Sequence, residues 1–192
     1  DEMLIVYEKD SQELLEKIEK ITEIENVQRI EIIRVKEMYR ETIDHFESIR
    51  FKVEEFVPNL LDIFNEIDDS FVKLEGMMNN QLFEDAKEFT KDIEAKVIWV
   101  NQRLEDLPSY IAVVRQYMPK KVAHIQGLIQ IMTEEKFSLN QLDAYNRLNM
   151  IQTTLEESIG HIKKLELDNI GEVLQNLSDA IDSLIQDLEG EK

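Results

Sequence analysis

Between Ala86 and Met132 the apolar residues recur at alternating steps of three and four. They run through Ile93, Val97, Val100, Leu104, Leu107, Ile111, Val114, Met118, Ile125 and Leu128, with Thr90 and Lys121 as polar exceptions. A seam with this 3.5-residue period fits a long helix packed at a shallow angle against its neighbours. The seam also passes through two prolines, Pro108 and Pro119, in the stretch RLEDLPSYIAVVRQYMPKKVAHIQGL (103–128). Proline inside a helix removes a backbone hydrogen bond and clashes with the carbonyl four residues back, at a cost of about 3 kcal/mol. A helix break would normally reset the phase, and here the phase is kept. The prolines therefore read as kinks in one helix, about three turns apart and near one face. Each frees a carbonyl, that of Leu104 or Arg115. The alternative is a short break at Pro108, with Asp106 capping a new helix.

The rest of the chain carries the same period. An N-terminal seam runs through Leu4, Tyr7, Leu14, Ile18, Ile21, Ile32, Val35, Tyr39, Phe46 and Ile49, with Ser11, Glu25, Gln28 and Thr42 in register. The successive polar positions Glu25 and Gln28 suggest that this helix changes partners there, while Ile24 and Val27 carry the stripe to an adjacent face. A second helix is expected from about Pro58 to Met77, with Leu60, Ile63, Ile67, Phe71 and Leu74 inward, and GMMNNQ (76–81) as its turn. SLNQ (138–141) reads as a capping box opening a helix that ends near Lys164. Asp168 is expected to cap the last helix, through Ile170, Val173, Leu177, Ile181, Leu184 and Leu188. With only five glycines and three prolines, nothing supplies the turns of a sheet, and the fold class is all-α.

An internal repeat organises these helices. A shift of 84 residues lays 88–105 on 172–189, matching Glu88 with Glu172, Ile93 with Leu177, Val97 with Ile181, Gln102 with Gln186 and Glu105 with Glu189. A shift of 88 lays Leu60, Ile63, Ile67, Phe71 and Leu74 on Leu148, Ile151, Leu155, Ile159 and Ile162. The expected architecture is an elongated pair of tandem three-helix units joined by a long shared helix, with the prolines at the junction. Residues 1–27 read as an extension from a preceding repeat, 28–107 as the first unit and 108–192 as the second. The chain opens DEMLIVYEKD without an initiator methionine and reads as part of a longer protein.

Charge and composition narrow the function. Forty-one acidic against 22 basic residues give a formal charge of −19, which repels nucleic acid and anionic membranes. No apolar run reaches the length of a membrane span, and no signal peptide is visible. The absence of cysteine excludes disulfides and thiolate metal sites. Thr42, Lys121 and Ser158 stand three residues before His45, His124 and His161, so the Glu-x-x-His pattern of two-metal bundles is missing. Glu41 and Glu157, four residues before His45 and His161, fit surface pairs. HIKK (161–164) resembles a phosphotransfer motif, but the bulky Leu165 follows it. No phosphate loop or activated nucleophile is found, so no catalytic residue, cofactor or metal is expected. Trp99 beside the seam is expected at the core edge.

One window stands apart. Residues 107–133 contain no acidic residue and carry Arg115, Lys120, Lys121 and His124. Either this central helix borrows its negative charge from acidic neighbours, or these four residues dock an acidic partner or a second copy of the chain. The apolar stripe of 1–27 is a further candidate for self-association.

With these features in view, NNQLFEDAKEFTKDIEAKVIWVNQRLEDLPSYIAVVRQYMPKKV and the closing LELDNIGEVLQNLSDAIDSLIQDLEGE, together with the proline pair, resemble the EzrA family of septation-ring regulators of Gram-positive bacteria. The resemblance implies spectrin-like repeats joined by continuous helices. It also implies a membrane-anchored cell-division regulator at the cytoplasmic side of the septum, which binds the tubulin-like protein FtsZ and restrains ring assembly. Where the family has Gly-Tyr after the second proline's helix, this chain has Lys136-Phe137. The family's N-terminal membrane helix and the polar patch near its C-terminus are expected to lie outside this stretch of chain, so the resemblance assigns no partner residue to a numbered position. A coiled-coil adaptor without a link to FtsZ is the alternative.

Overall fold

The computed structural model describes residues 2–190, and every regular element among them is helical. Six helices follow in order: α1 (Glu2–Ile49), α2 (Val57–Asn79), α3 (Phe83–Ala112), α4 (Met118–Glu134), α5 (Ala144–Lys163) and α6 (Ile170–Gly190). The chain forms two compact units, residues 2–47 with 61–101, and residues 48–60 with 102–190. The boundaries fall inside α1, α2 and α3.

In the first unit the seams converge as their period requires. Ile32, Val35 and Phe46 of α1 are buried, as are Phe64, Ile67, Phe71, Leu74 and Met78 of α2 and Ala86, Ile93, Val97 and Val100 of α3. Tyr39, Phe46, Phe64 and Phe71 form an aromatic cluster with ring centroids 5.1–6.3 Å apart, a spacing at which tilted rings attract. The Tyr39 hydroxyl donates to the Phe64 carbonyl at 3.0 Å. Gln28, one of the polar seam positions, is buried, and its Nε2 donates to Thr90 Oγ1 at 3.0 Å. Ile24 and Val27, expected to extend the stripe, are exposed.

In the second unit Leu104, Leu107, Val114, Met118, Ile125, Leu128 and Met132 line the core against Leu174, Leu177, Ile181, Leu184 and Leu188 of α6. Two 3₁₀ turns between α1 and α2 add Val53 and Phe56 to this core. The predicted seam thus keeps its inward face across both prolines, with Ile111 and Lys121 only half-buried. Helix α3 continues through Pro108, so no cap forms at Asp106. Before Pro119 the helix widens into a π turn over Val113–Tyr117, closed by the Met118 N–H donating to the Val113 carbonyl. The wide turn separates the Pro119 ring from the carbonyl it would strike in a regular helix and places Pro119 in the first turn of α4, where a missing N–H costs little.

Two helix starts differ from expectation. No helix begins at Ser138. Leu139 is buried, residues 140–142 form a 3₁₀ turn, Asp143 adopts a left-handed conformation (φ 50°), and α5 starts at Ala144. Burial of the Leu139 side chain outweighs the local capping box. At α6 the Asp168 carboxylate accepts a 2.8 Å hydrogen bond from Arg103 of α3, and the helix starts at Ile170.

The ends of α2, α4 and α5 share one geometry. Leu82, Phe137 and Glu166 donate backbone N–H groups five residues back, to Met77, Met132 and His161, and the preceding residues Gln81, Lys136 and Leu165 bond three back. This is the Schellman closure, in which the residue just past the helix is left-handed and usually glycine. Here those residues have φ of 59°, 65° and 58°, whereas no glycine has positive φ. At Lys136, where the resembling family carries glycine, the backbone has the conformation that glycine favours.

Burial follows the 84-residue shift, while at the 88-residue shift buried Leu60, Ile67 and Phe71 fall on half-buried Leu148, Leu155 and Ile159. At the 84-residue shift Ala86, Ile93, Val97, Val100 and Leu104 fall on Ile170, Leu177, Ile181, Leu184 and Leu188, all buried. A second register relates α1 to α3 and α4. Gln28, Ile32, Thr42 and Phe46 fall on Val114, Met118, Leu128 and Met132, again all buried.

Candidate partner-binding surface

The acid-free window occupies the end of α3, the π turn and α4, and the structure distributes its cations to different neighbours. Arg115, in the π turn, donates to the Glu55 carboxylate of the 3₁₀ turn before α2. Lys121 donates to Asp182 of α6 and lies 4.8 Å from the Tyr117 ring centroid. Its hydrogen bond to Asp182, then that to Tyr117, pushes the lysine above its ordinary pKa. The Tyr117 hydroxyl is pulled below its ordinary value by Lys121 and then by Ser178. His124 Nε2 lies 3.3 Å from the Glu189 carboxylate, also on α6. Lys120 is exposed on the solvent side of α4.

Lys121 and His124 therefore share the face towards α6, Arg115 turns to the chain before α2, and Lys120 stands apart. The window lacks acidic residues of its own, and Glu55, Asp182 and Glu189 supply them. Exposed ion pairs of this kind contribute about 0–1 kcal/mol each, so they can be exchanged for other carboxylates at small cost.

The other sequence candidates are placed as surface and edge groups. His161 Nδ1 lies 2.7 Å from Glu166 beyond its helix end, not from the expected Glu157, and His45 Nδ1 lies 3.3 Å from Asn101 Oδ1. Trp99 is half-buried, with Lys96 Nζ 4.2 Å from its ring centroid. Among the described residues no three His, Cys, Asp or Glu side chains gather to hold a metal ion, and no helix is long and apolar enough to cross a membrane.

Sequence reasoning missed one surface feature, a groove between α5 and α6 with Ile151 and Leu177 at its floor and Thr154, Ala180 and Ser183 among its walls. Its signal was the pair of small residues Ala180 and Ser183 on α6, facing Thr154 of α5.

Comparisons with known proteins extend this picture. The family model described as septation ring formation regulator, EzrA, matches residues 1–192. The chain is 25% identical over 193 residues to a protein of Bacillus subtilis named septation ring formation regulator EzrA. It is 20% identical over 192 residues to a protein of the same name in Bacillus velezensis. Both alignments cover all of this chain and 34% of the relative, so the chain spans about a third of their length. A third, from Bacillus licheniformis, is 23% identical over 84% of this chain and 31% of its own length. No solved structure matches the chain.

Proposed function

The chain belongs to the EzrA family of septation ring formation regulators, and on that premise we propose that it is a non-enzymatic helical scaffold segment of a membrane-anchored division regulator. In this reading it works at the cytoplasmic side of the septum, binds FtsZ and restrains assembly of the division ring. The observation that carries the reading is the family match along the entire chain. The all-helical architecture accords with a protein that acts by presenting surfaces. Co-sedimentation with FtsZ polymers tests it. The chain is expected in the pellet in proportion to polymer, and a chain that stays in the supernatant at every polymer concentration favours the adaptor reading instead.

Within this reading the basic window is the candidate contact for an acidic segment of a partner. Replacing Arg115, Lys120 and Lys121 together by Glu reverses the local charge. Loss of polymer binding with unchanged helicity is the expected result. Normal binding with a lowered melting temperature would assign the window to internal charge balance, through Glu55 and Asp182. The exposed stripe of α1, including Leu4, Tyr7, Leu14 and Ile18, is the candidate for self-association. Deleting residues 1–27 is expected to remove the concentration dependence of sedimentation.

A further inference from the structure

We propose that the outer groove between α5 and α6 is a docking site for a basic amphipathic helix of a partner protein. The two units supply the comparison. The registers of 88 and 84 residues place the α5–α6 face of the second unit on the α2–α3 face of the first. In the first unit that face is filled. Phe89 lies over it with Lys73 Nζ 5.2 Å from the ring, Lys96 covers Trp99, and the remaining groove measures about 190 Å³. In the second unit the positions of Phe89, Lys96 and Trp99 are taken by Val173, Ala180 and Ser183, and that of Glu66 by Thr154. Here the groove measures about 570 Å³. Its floor is apolar, and Met150 stands 69% exposed at its edge. That volume accommodates several apolar side chains, as when a helix inserts residues at i, i+3, i+4 and i+7 into a groove. The small wall residues let a helix backbone approach closely.

The rim identifies the occupant. Glu157, Glu172 and Asp179 are exposed within a turn of the lining residues. The cation at the groove, Arg147, is held by Asp187 at 2.8 Å and by the Ser183 hydroxyl at 3.3 Å. A second copy would bring to this groove either the same acidic rim or the exposed half of α1, which carries seven acidic against three basic residues over Glu2–Ile24. Anionic lipid and nucleic acid are repelled in the same way. A helix with an apolar ridge flanked by lysine or arginine satisfies both the floor and the rim.

Fluorescence anisotropy with the full chain and two labelled synthetic helices tests this. Both carry a leucine ridge, one flanked by lysines and the other by glutamates. The lysine helix should bind, with an affinity that weakens as salt rises, because exposed charges are screened over about 10 Å at 0.1 M. Combining Ala180→Lys with Ser183→Trp restores the side chains found at these positions in the first unit and should abolish most of the binding without loss of helicity. Combining Glu157→Gln, Glu172→Gln and Asp179→Asn leaves the packing alone and should weaken binding roughly tenfold. Equal binding of the glutamate helix would overturn the proposal. So would unchanged affinity in the filled variant, which would place the peptide on the exposed stripe of α1. If the filled variant melts early, unchanged affinity in the carboxylate variant is decisive by itself.

Discussion

Gln28 and Thr90 form a buried polar pair in the first unit, and the second unit carries Val114 and Leu174 in their places. An apolar pair therefore packs at the corresponding positions of a closely similar unit. Replacing Thr90 strands the buried Gln28 amide, which costs about 1–3 kcal/mol, whereas replacing Gln28 leaves the Thr90 hydroxyl its bond to the Ala86 carbonyl at 2.6 Å and costs less. Gln28→Val and Thr90→Leu should each lower the melting temperature, while the double variant should recover much of the loss. A double-mutant cycle followed by circular dichroism reads the coupling, and strictly additive effects would show that the pair is not energetically linked. Tyr39 offers a test by pH. Burial, then the Asp68 carboxylate, pushes its phenol above the ordinary value near 10. The folded chain holds this proton to higher pH than the unfolded chain, so the contribution is complete below about pH 10 and is lost as pH climbs through the raised folded value. The melting temperature of the wild type should fall more steeply above pH 10 than that of Tyr39→Phe. At this scale the sequence was informative about which positions are buried, since Gln28, Thr42 and Thr90 sit on the seams. It was silent about ion-pair partners, because Glu55, Asp182 and Glu189 meet the basic window only through tertiary packing.

At the scale of elements, three helices end on a left-handed residue that is not glycine, a conformation costing about 1–2 kcal/mol for residues with a Cβ. Gln81 and Lys136 are exposed, so Gln81→Gly and Lys136→Gly should each stabilise the chain by about 1 kcal/mol. Leu165 is only 1% exposed, and Leu165→Gly should destabilise by about 2–5 kcal/mol, because the lost burial exceeds the relieved strain. Thermal melting of the three variants gives the signs directly, and a loss of stability at Lys136→Gly would refute the strain argument. The helices were legible because their period is strong, including the passage through Pro108 and Pro119. The start of α5 was not, because SLNQ satisfies a local rule that the burial of Leu139 overrides. The π turn leaves no mark on a seam whose phase it preserves. The α5–α6 groove emerges only when the outward faces of two helices are compared across the repeat.

At the scale of the whole molecule, the excess of 41 acidic over 22 basic residues means that self-repulsion opposes compaction. Raising ionic strength from 0.01 to 0.15 M shortens the screening length from about 30 Å to about 8 Å. The melting temperature should rise over that range, and a fall would show that attractive pairs outweigh the excess. Helix α1 carries a different consequence. From Glu2 to Ile24 every side chain is exposed, whereas from Gln28 onward the same helix is packed. Helices without packing are marginal in water, because propagation barely repays nucleation. Amide hydrogens in the first half should therefore exchange within seconds and those in the second half over hours, with the transition near Gln28. Any partner or neighbouring segment that covers the stripe would move that transition towards the N-terminus. The position of the transition, mapped by deuterium uptake, would thus serve as a built-in footprint of whatever binds the bare half of the helix.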